Sequence, residues 1–260
     1  MCSAYRSRII IACLLFSMTA SFAAGQVKPV RLQEPNAAAT YYVKAVEQYQ
    51  SGRYEEAVAA FKLAIQFKSD YVPAYNGLAL ASMELSLYSD AAAALEKAIR
   101  LAPSMAELRR NLGLAYRDLG RFQEAVRAFQ QAIELKPNYA AAFVDLGAVY
   151  NDLRQYKKAV GVLRQAIQLG PAIAMAYNNL GYSYAFMGHY KEAISDYGQA
   201  LRLEPDLEAA HFNLGLVQVV LGNKRAALEQ YEALMRSNTE LAHQLYQQIY
   251  RNKLLAVGAD

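Results

Sequence analysis

A spacing of 34 residues recurs along most of the chain and limits what the chain can fold into. Six alanines follow one another at this interval, at Ala57, Ala91, Ala125, Ala159, Ala193 and Ala227. A bulky residue recurs in the same step, at Phe61, Leu95, Phe129, Leu163, Tyr197 and Tyr231. A fixed period of this length is typical of repeat proteins, in which one supersecondary unit stacks on the next and buries its apolar face. The spacing therefore predicts six copies of one unit.

Each unit has the pattern of two helices joined by a short turn. In the first half of a unit, apolar or small residues stand three and four positions apart and form one stripe of a helix, as at Phe143, Leu146, Gly147 and Tyr150. The second half repeats this pattern. The eighth position of every unit is small, at Ala45, Ala79, Gly113, Gly147, Gly181 and Gly215. Small residues there, opposite the alanine register, predict that the two helices approach closely.

Glycine and proline mark the ends of the predicted helices. Glycine stands at the turn between the two halves, where a left-handed backbone is favoured, at Gly52, Gly120, Gly188 and Gly222. Ser86 and Arg154 depart from this pattern. Proline, which cannot continue a helix, follows the second half at Pro103, Pro137, Pro171 and Pro205. Ser69 and Thr239 replace it in the outer units.

These residues resemble the tetratricopeptide repeat. Two units carry the pattern most clearly, and the first of them reads Asn111, Leu112, Gly113, Tyr116, Gly120, Ala125, Phe129, Ala132 and Pro137. The resemblance covers residues 38–241, or 204 of 260. It implies an all-α, right-handed superhelical solenoid of six repeats, at 38–71, 72–105, 106–139, 140–173, 174–207 and 208–241. An amphipathic stretch at 242–254, within a final segment at 242–260, is expected to cap the last repeat.

The start of the chain has the pattern of an export signal. Arg6 and Arg8 precede an apolar stretch from Ile9 to Met18, and the small-x-small pattern of a cleavage site follows at 21–23 or at 23–25. We expect a cleaved signal peptide at 1–23 and an extended leader at 24–37, which would make the protein periplasmic or secreted. An uncleaved membrane anchor and lipidation at Cys13 are alternatives. Cleavage would remove both cysteines, Cys2 and Cys13, and would leave no membrane span.

Composition and motifs argue against two classes of function. The net charge is +4 and no block of Lys or Arg stands out, so we expect no nucleic-acid partner. The sequence has no nucleotide-binding loop, no zinc-protease motif, and only three histidines that are not spaced to chelate a metal. We therefore expect no enzyme activity, no cofactor and no metal.

The resemblance also implies where a partner would bind. In tetratricopeptide solenoids the first helices line a concave groove, and this places the following residues in it: Tyr42, Tyr49, Asn76, Arg110, Asn111, Arg117, Asp145, Asn151, Asn178, Asn179, Tyr182, Phe186, Phe212 and Asn213. The middle of this set is polar and its two ends are apolar. A row at the sixth position, formed by Asn111, Asp145, Asn179 and Asn213, would either hold the backbone of an extended peptide or bridge neighbouring helices.

The sequence thus predicts a non-enzymatic interaction scaffold. We expect it to bind a peptide or protein in the concave groove, as part of an envelope or secretion assembly. A self-associating structural array and a regulatory subunit of a separate enzyme are the alternatives.

Overall fold

The computed structural model describes residues 36–256, with side chains to Tyr250. The predicted signal peptide at 1–23, the predicted leader as far as Pro35 and the end of the chain lie outside these residues. The described residues form thirteen helices and no strand, so the predicted all-α repeat solenoid is confirmed. The first helices of the repeats are α1 Ala37–Gln50, α3 Val72–Glu84, α5 Ala106–Asp118, α7 Ala140–Asp152, α9 Ala174–Phe186 and α11 Glu208–Val220. The second helices are α2 Tyr54–Phe67, α4 Tyr88–Leu101, α6 Phe122–Leu135, α8 Tyr156–Leu169, α10 Tyr190–Leu203 and α12 Lys224–Ser237, and α13 Thr239–Ala256 follows.

The contacts between helices give the stack its curvature. Each helix packs against the next along the chain, and the first helix of each repeat also contacts the first helix of the following repeat. No such contact joins the second helices of neighbouring repeats within the described residues. Because the first helices lie closer together than the second helices, the first helices form the concave side.

The turns keep one backbone conformation even where the residue type changes. Gly52, Gly120, Gly188 and Gly222 have φ angles of 72° to 79°. Ser86 and Arg154 occupy the same position with φ angles of 58° and 57°, in a region that side chains disfavour. The turn geometry is therefore set by the packing of the helix pair and is maintained without glycine.

Small residues allow the helices of one pair to approach closely. All six alanines of the 34-residue register are fully buried. The glycine at the eighth position of a repeat leaves no room for a side chain. A Cβ placed on Gly147 would lie only 2.5 Å from Cγ of Leu163. The same holds at Gly113 against Phe129, where the shortest distance would be 2.7 Å.

The Gly147 contact gives a test with a matched control in the same repeat. We expect Gly147→Ala to lower the free energy of unfolding by about 1–3 kcal/mol through overpacking against Leu163. Gly161 lies in α8 with nothing within 4 Å of a new Cβ. Gly161→Ala should therefore stabilise the protein by about 0.5–1 kcal/mol, since only the higher helix propensity of alanine acts there. Thermal unfolding followed by circular dichroism measures both, and equal effects at the two sites would contradict the close packing.

The final helix α13 begins earlier than the sequence suggested. It starts at Thr239 instead of residue 242 because Asn238 caps it: the Asn238 side-chain oxygen accepts a hydrogen bond from the Leu241 backbone N–H at 3.1 Å. Ala242 and Leu245 are fully buried against the last repeat. Tyr246 on the same helix is 42% exposed and packs on the rings of Tyr231 and Tyr250.

Candidate binding groove

A ladder of polar contacts between residues 35 positions apart runs along the concave side. Each contact joins the first helix of one repeat to the first helix of the next. Its members are Tyr49 with Glu84 at 3.3 Å, Asn76 with Asn111 at 2.9 Å, Arg110 with Asp145 at 2.5 Å, Arg117 with Asp152 at 2.7 Å, and Asn178 with Asn213 at 3.1 Å. We call these contacts the polar ladder. They use much of the hydrogen-bonding capacity that the sequence suggested for a ligand.

The pair of Arg110 and Asp145 is the most buried rung of the polar ladder that carries charge. The side chains are 27% and 16% exposed. Burial raises the pKa of Asp145, and the nearby guanidinium of Arg110 opposes this rise without cancelling it. The negative charge of Asp145 therefore depends on Arg110. This indicates that the pair serves the contact between neighbouring repeats.

Asn151 and Asn178, which were expected in the groove, are buried. Asn151 donates to the backbone oxygen of Asn179 at 2.9 Å and accepts a hydrogen bond from the Ser183 hydroxyl at 2.7 Å. Asn178 accepts from Asn213. The expectation that Asn151 and Asn178 face a ligand is therefore revised, because their side chains join neighbouring helices and have almost no exposed surface.

The row at the sixth position, for which a bridging and a peptide-holding role were the alternatives, makes contacts between repeats. Asn111 and Asn213 donate to side chains of the preceding repeat, and Asp145 accepts from Arg110. Asn179 contributes its backbone oxygen to the contact with Asn151. The bonds of Asn111, Asp145 and Asn213 favour the bridging alternative. The Asn179 side-chain oxygen, by contrast, accepts among the described residues only from the adjacent Asn178, at 3.4 Å.

The aromatic residues at the N-terminal end enclose only a small cavity. Tyr42 packs against the rings of Phe61 and Tyr71, and Tyr49 packs against Tyr54. With Asn76 they line a cavity of about 210 Å³. This is smaller than the roughly 300–1,000 Å³ usual for a ligand pocket.

The apolar C-terminal end forms a larger groove, of about 590 Å³. We call it the C-terminal groove, and its lining is Tyr182, Ala185, Phe186, Tyr190, Tyr197, Phe212, Asn213, Leu216, Val217, Val219, Val220 and Gln248. Phe186 is 58% exposed and Val220 is 64% exposed. Phe212 and Leu216 are half-buried because they also pack against the cluster that anchors α13. The accessible apolar surface is therefore centred on the ends of α9 and α11.

An aromatic stack continues the C-terminal groove towards the preceding repeat. Phe186 lies 4.5 Å from Tyr182 and 5.2 Å from Tyr156, measured between ring centroids, and is nearly parallel to Tyr156. Burial raises the pKa of the Tyr182 hydroxyl. Tyr156 and Val220 were missed by the sequence reasoning. Tyr156 opens a second helix and was outside the positions considered, while Val220 occupies the same repeat position as Phe186 and could have been found.

The other parts of the described chain contain no comparable candidate site. A depression of about 670 Å³ lies at the turn between α10 and α11, but it is lined by Leu203–Ala209 alone. Within residues 36–256 no group of three His, Cys, Asp or Glu side chains is placed to hold a metal. No helix in the same span is long and apolar enough to cross a membrane.

A stack of helix pairs with a concave side formed by the first helices defines a helical-repeat solenoid. Family models described as TPR repeat match residues 46–86 and 113–153, and models described as tetratricopeptide repeat match 72–105 and 174–207. Together the matches span more than half of the chain, which therefore belongs to the tetratricopeptide repeat family.

Solved structures agree with this assignment. The chain is 27% identical to a crystal structure of MamA, with a TM-score of 0.58 over 66% of this chain and 93% of that chain. YrrB, described as a TPR protein with an unusual peptide-binding site, is 24% identical, with a TM-score of 0.55 over 68% of this chain and 91% of that chain. PilW, described as a type IV pilus biogenesis factor, is 19% identical, with a TM-score of 0.72 over 80% of this chain and 98% of that chain. The last two show similarity of fold alone. No curated protein matches the sequence significantly.

Proposed function

We propose that this protein is an exported, non-enzymatic scaffold that binds a peptide or protein partner on its concave side, within an envelope or secretion assembly. The partner would bind mainly in the C-terminal groove. Tyr42 and the residues of the polar ladder, Tyr49 among them, would contribute less, since their side chains are engaged with neighbouring residues.

The exposed apolar surface of the C-terminal groove carries this proposal. Phe186 and Val220 are each more than half exposed although they stand beside a well-packed core. A soluble protein rarely leaves such side chains together in a concave site unless they meet a partner. The surrounding helices are already folded, so binding would lose little free energy to ordering the protein.

Two comparisons support the wider role. The structures with the same fold include YrrB, whose description mentions a peptide-binding site, and PilW, whose description places it in pilus biogenesis. The basic and apolar pattern at 1–23 supports export. A scaffold in an envelope assembly accords with both.

Replacing two exposed groove residues tests the proposal. We expect Phe186→Ser combined with Val220→Ser to weaken capture of partners by the immobilised protein by at least about tenfold, because roughly 1.5–3 kcal/mol is lost for each large apolar side chain that no longer becomes buried. Phe212 is a poorer choice because it also holds α13 in place. Binding is measured by quantifying the proteins retained from cell extract.

The matched control is Leu135→Ser combined with Leu169→Ser, at exposed apolar residues that end second helices. The control should retain partners as the original protein does, and all forms should keep the same helical circular dichroism. Undiminished capture by the groove variant would refute the proposed site.

A further inference from the structure

A group of cations borders the C-terminal groove. Arg154, Lys157 and Lys158 are exposed and lie around the turn from α7 to α8. They line a depression together with Gln155, Tyr156 and Met187. We call Arg154, Lys157 and Lys158 the basic edge. Tyr156 and Met187 connect the basic edge to the C-terminal groove. The Tyr156 ring stacks on Phe186, and Met187 directly follows Phe186 in the chain.

The three cations of the basic edge, Arg154, Lys157 and Lys158, are not held in ion pairs with any of the described residues. Asp152, the nearest carboxylate in sequence, is paired with Arg117. The ammonium of Lys158 lies 5.6 Å from the ring centroid of Tyr150, a contact that leaves its charge in place.

Most of the other turns of the same kind are built differently. Acids stand in the first turn of α2, α4, α6 and α10, at Glu55, Glu56, Asp90, Glu124 and Glu192. Arg53 and Arg121, which precede α2 and α6, are paired with such acids. The first turn of α8 has no acid. The first turn of α12 also has no acid, but its Arg225 is paired with Glu229. The partial positive charge at the start of α8 therefore adds to that of the basic edge.

We propose, on the basis of the proposed function, that the partner segment has two chemical parts: bulky apolar side chains that fill the C-terminal groove, and adjacent carboxylates that lie against the basic edge. The groove and the basic edge are contiguous, so one short segment of a protein partner can contact both. The apolar part supplies most of the affinity. The carboxylates fix the orientation of the bound segment and raise its rate of association. The occupant is thus an acidic-flanked apolar peptide of another protein.

Synthetic peptides test this inference on the full chain. The probes are a fluorescent peptide with a Leu and Phe core followed by a run of glutamates, and the same peptide with every Glu replaced by Gln. Fluorescence anisotropy at low salt should show the acidic probe binding about tenfold more tightly, as expected for two or three exposed ion pairs. The difference should shrink at high salt because exposed charges are screened.

Charge variants identify the surface responsible. Lys157→Gln combined with Lys158→Gln should remove most of the preference for the acidic probe over the neutral probe, with Arg154 accounting for what is left. Lys62→Gln combined with Lys97→Gln removes the same charge from exposed positions on α2 and α4, and should leave the preference intact. Both double variants should keep the helical content of the original protein.

The outcomes separate this inference from the proposed function. Equal affinity for both probes, with binding still lost in the Phe186→Ser variant, would overturn the acidic partner and keep the groove. Tight binding of the acidic probe that ignores Phe186→Ser would overturn the two-part site, as would an acidic probe that does not bind at all. If sedimentation shows a dimer that Phe186→Ser converts to monomer, a second copy occupies the groove and the inference is wrong.

Discussion

Leu245→Ala is expected to lower the free energy of unfolding by about 2–5 kcal/mol, the usual loss for a large side chain removed from a packed core. Leu245 is fully buried and is the main anchor of α13 on the last repeat. It fits against Gly215, where a Cβ would lie only 2.5 Å from Cδ2 of Leu245. The contact closes the end of the stack, so its loss should expose the apolar face of the sixth repeat. Denaturant unfolding followed by circular dichroism measures the change.

The control for this prediction lies two residues further along the same helix. Gln247 is exposed, so Gln247→Ala should change the stability by less than about 0.5 kcal/mol. Truncation after Asn238 should have a stronger effect than Leu245→Ala and should cause concentration-dependent aggregation, seen by light scattering. A truncated protein with unchanged melting and solubility would show that α13 does not cap the stack.

Arg110→Leu is expected to destabilise the protein by about 2–4 kcal/mol, because it leaves the Asp145 carboxylate largely buried without its partner. Asp145→Leu alone should also destabilise, since it leaves the guanidinium unpaired. The double variant should recover most of the loss, because two apolar residues can pack where the ion pair stood. A double-mutant cycle on unfolding free energies measures this coupling.

The pH dependence gives a second readout of the same pair. Burial already raises the pKa of Asp145 and Arg110 holds it down, so Arg110→Leu should raise this pKa further. A carboxyl whose pKa is raised in the folded state destabilises the protein at pH values above that pKa. The destabilisation becomes smaller as the pH falls and the carboxyl takes up a proton. The defect of Arg110→Leu should therefore be largest near neutral pH and smaller in mild acid. A loss of stability in Arg110→Leu that does not depend on pH would contradict a buried ion pair between repeats. So would effects of the two single substitutions that simply add in the double variant.

Most of the fold could be predicted from the sequence because its repeat is local. The alanine register and the small eighth position identify the helix pair and its contact, and the packing agrees with both. Ser86 and Arg154 looked like departures, yet they keep the left-handed turn because the helix pair on either side fixes it. The start of α13 was missed because Thr239 was read as a substitute for proline, whereas Asn238 acts as a cap.

The binding site was harder to predict, since it depends on contacts between repeats. Arg110 and Asp145 each look like exposed groove residues when one helix is considered alone. Their complementary charges at a separation of 35 residues are visible in the sequence, and adjacent first helices bring them together. Phe186 and Phe212 have similar chemistry, but only the position of α13 shows that Phe212 is half-buried and Phe186 is exposed.

Site-specific photo-crosslinking in cells tests the central claim most directly. A photoreactive phenylalanine analogue placed at Val220, in the C-terminal groove, is compared with the same analogue at Leu135, which is exposed outside it. We predict a covalent adduct with a different protein from position 220 alone, and its loss when Phe186→Ser is added. No adduct at 220, the same adducts from both positions, or an adduct made only of two copies of this chain would contradict the claim that the groove holds a partner.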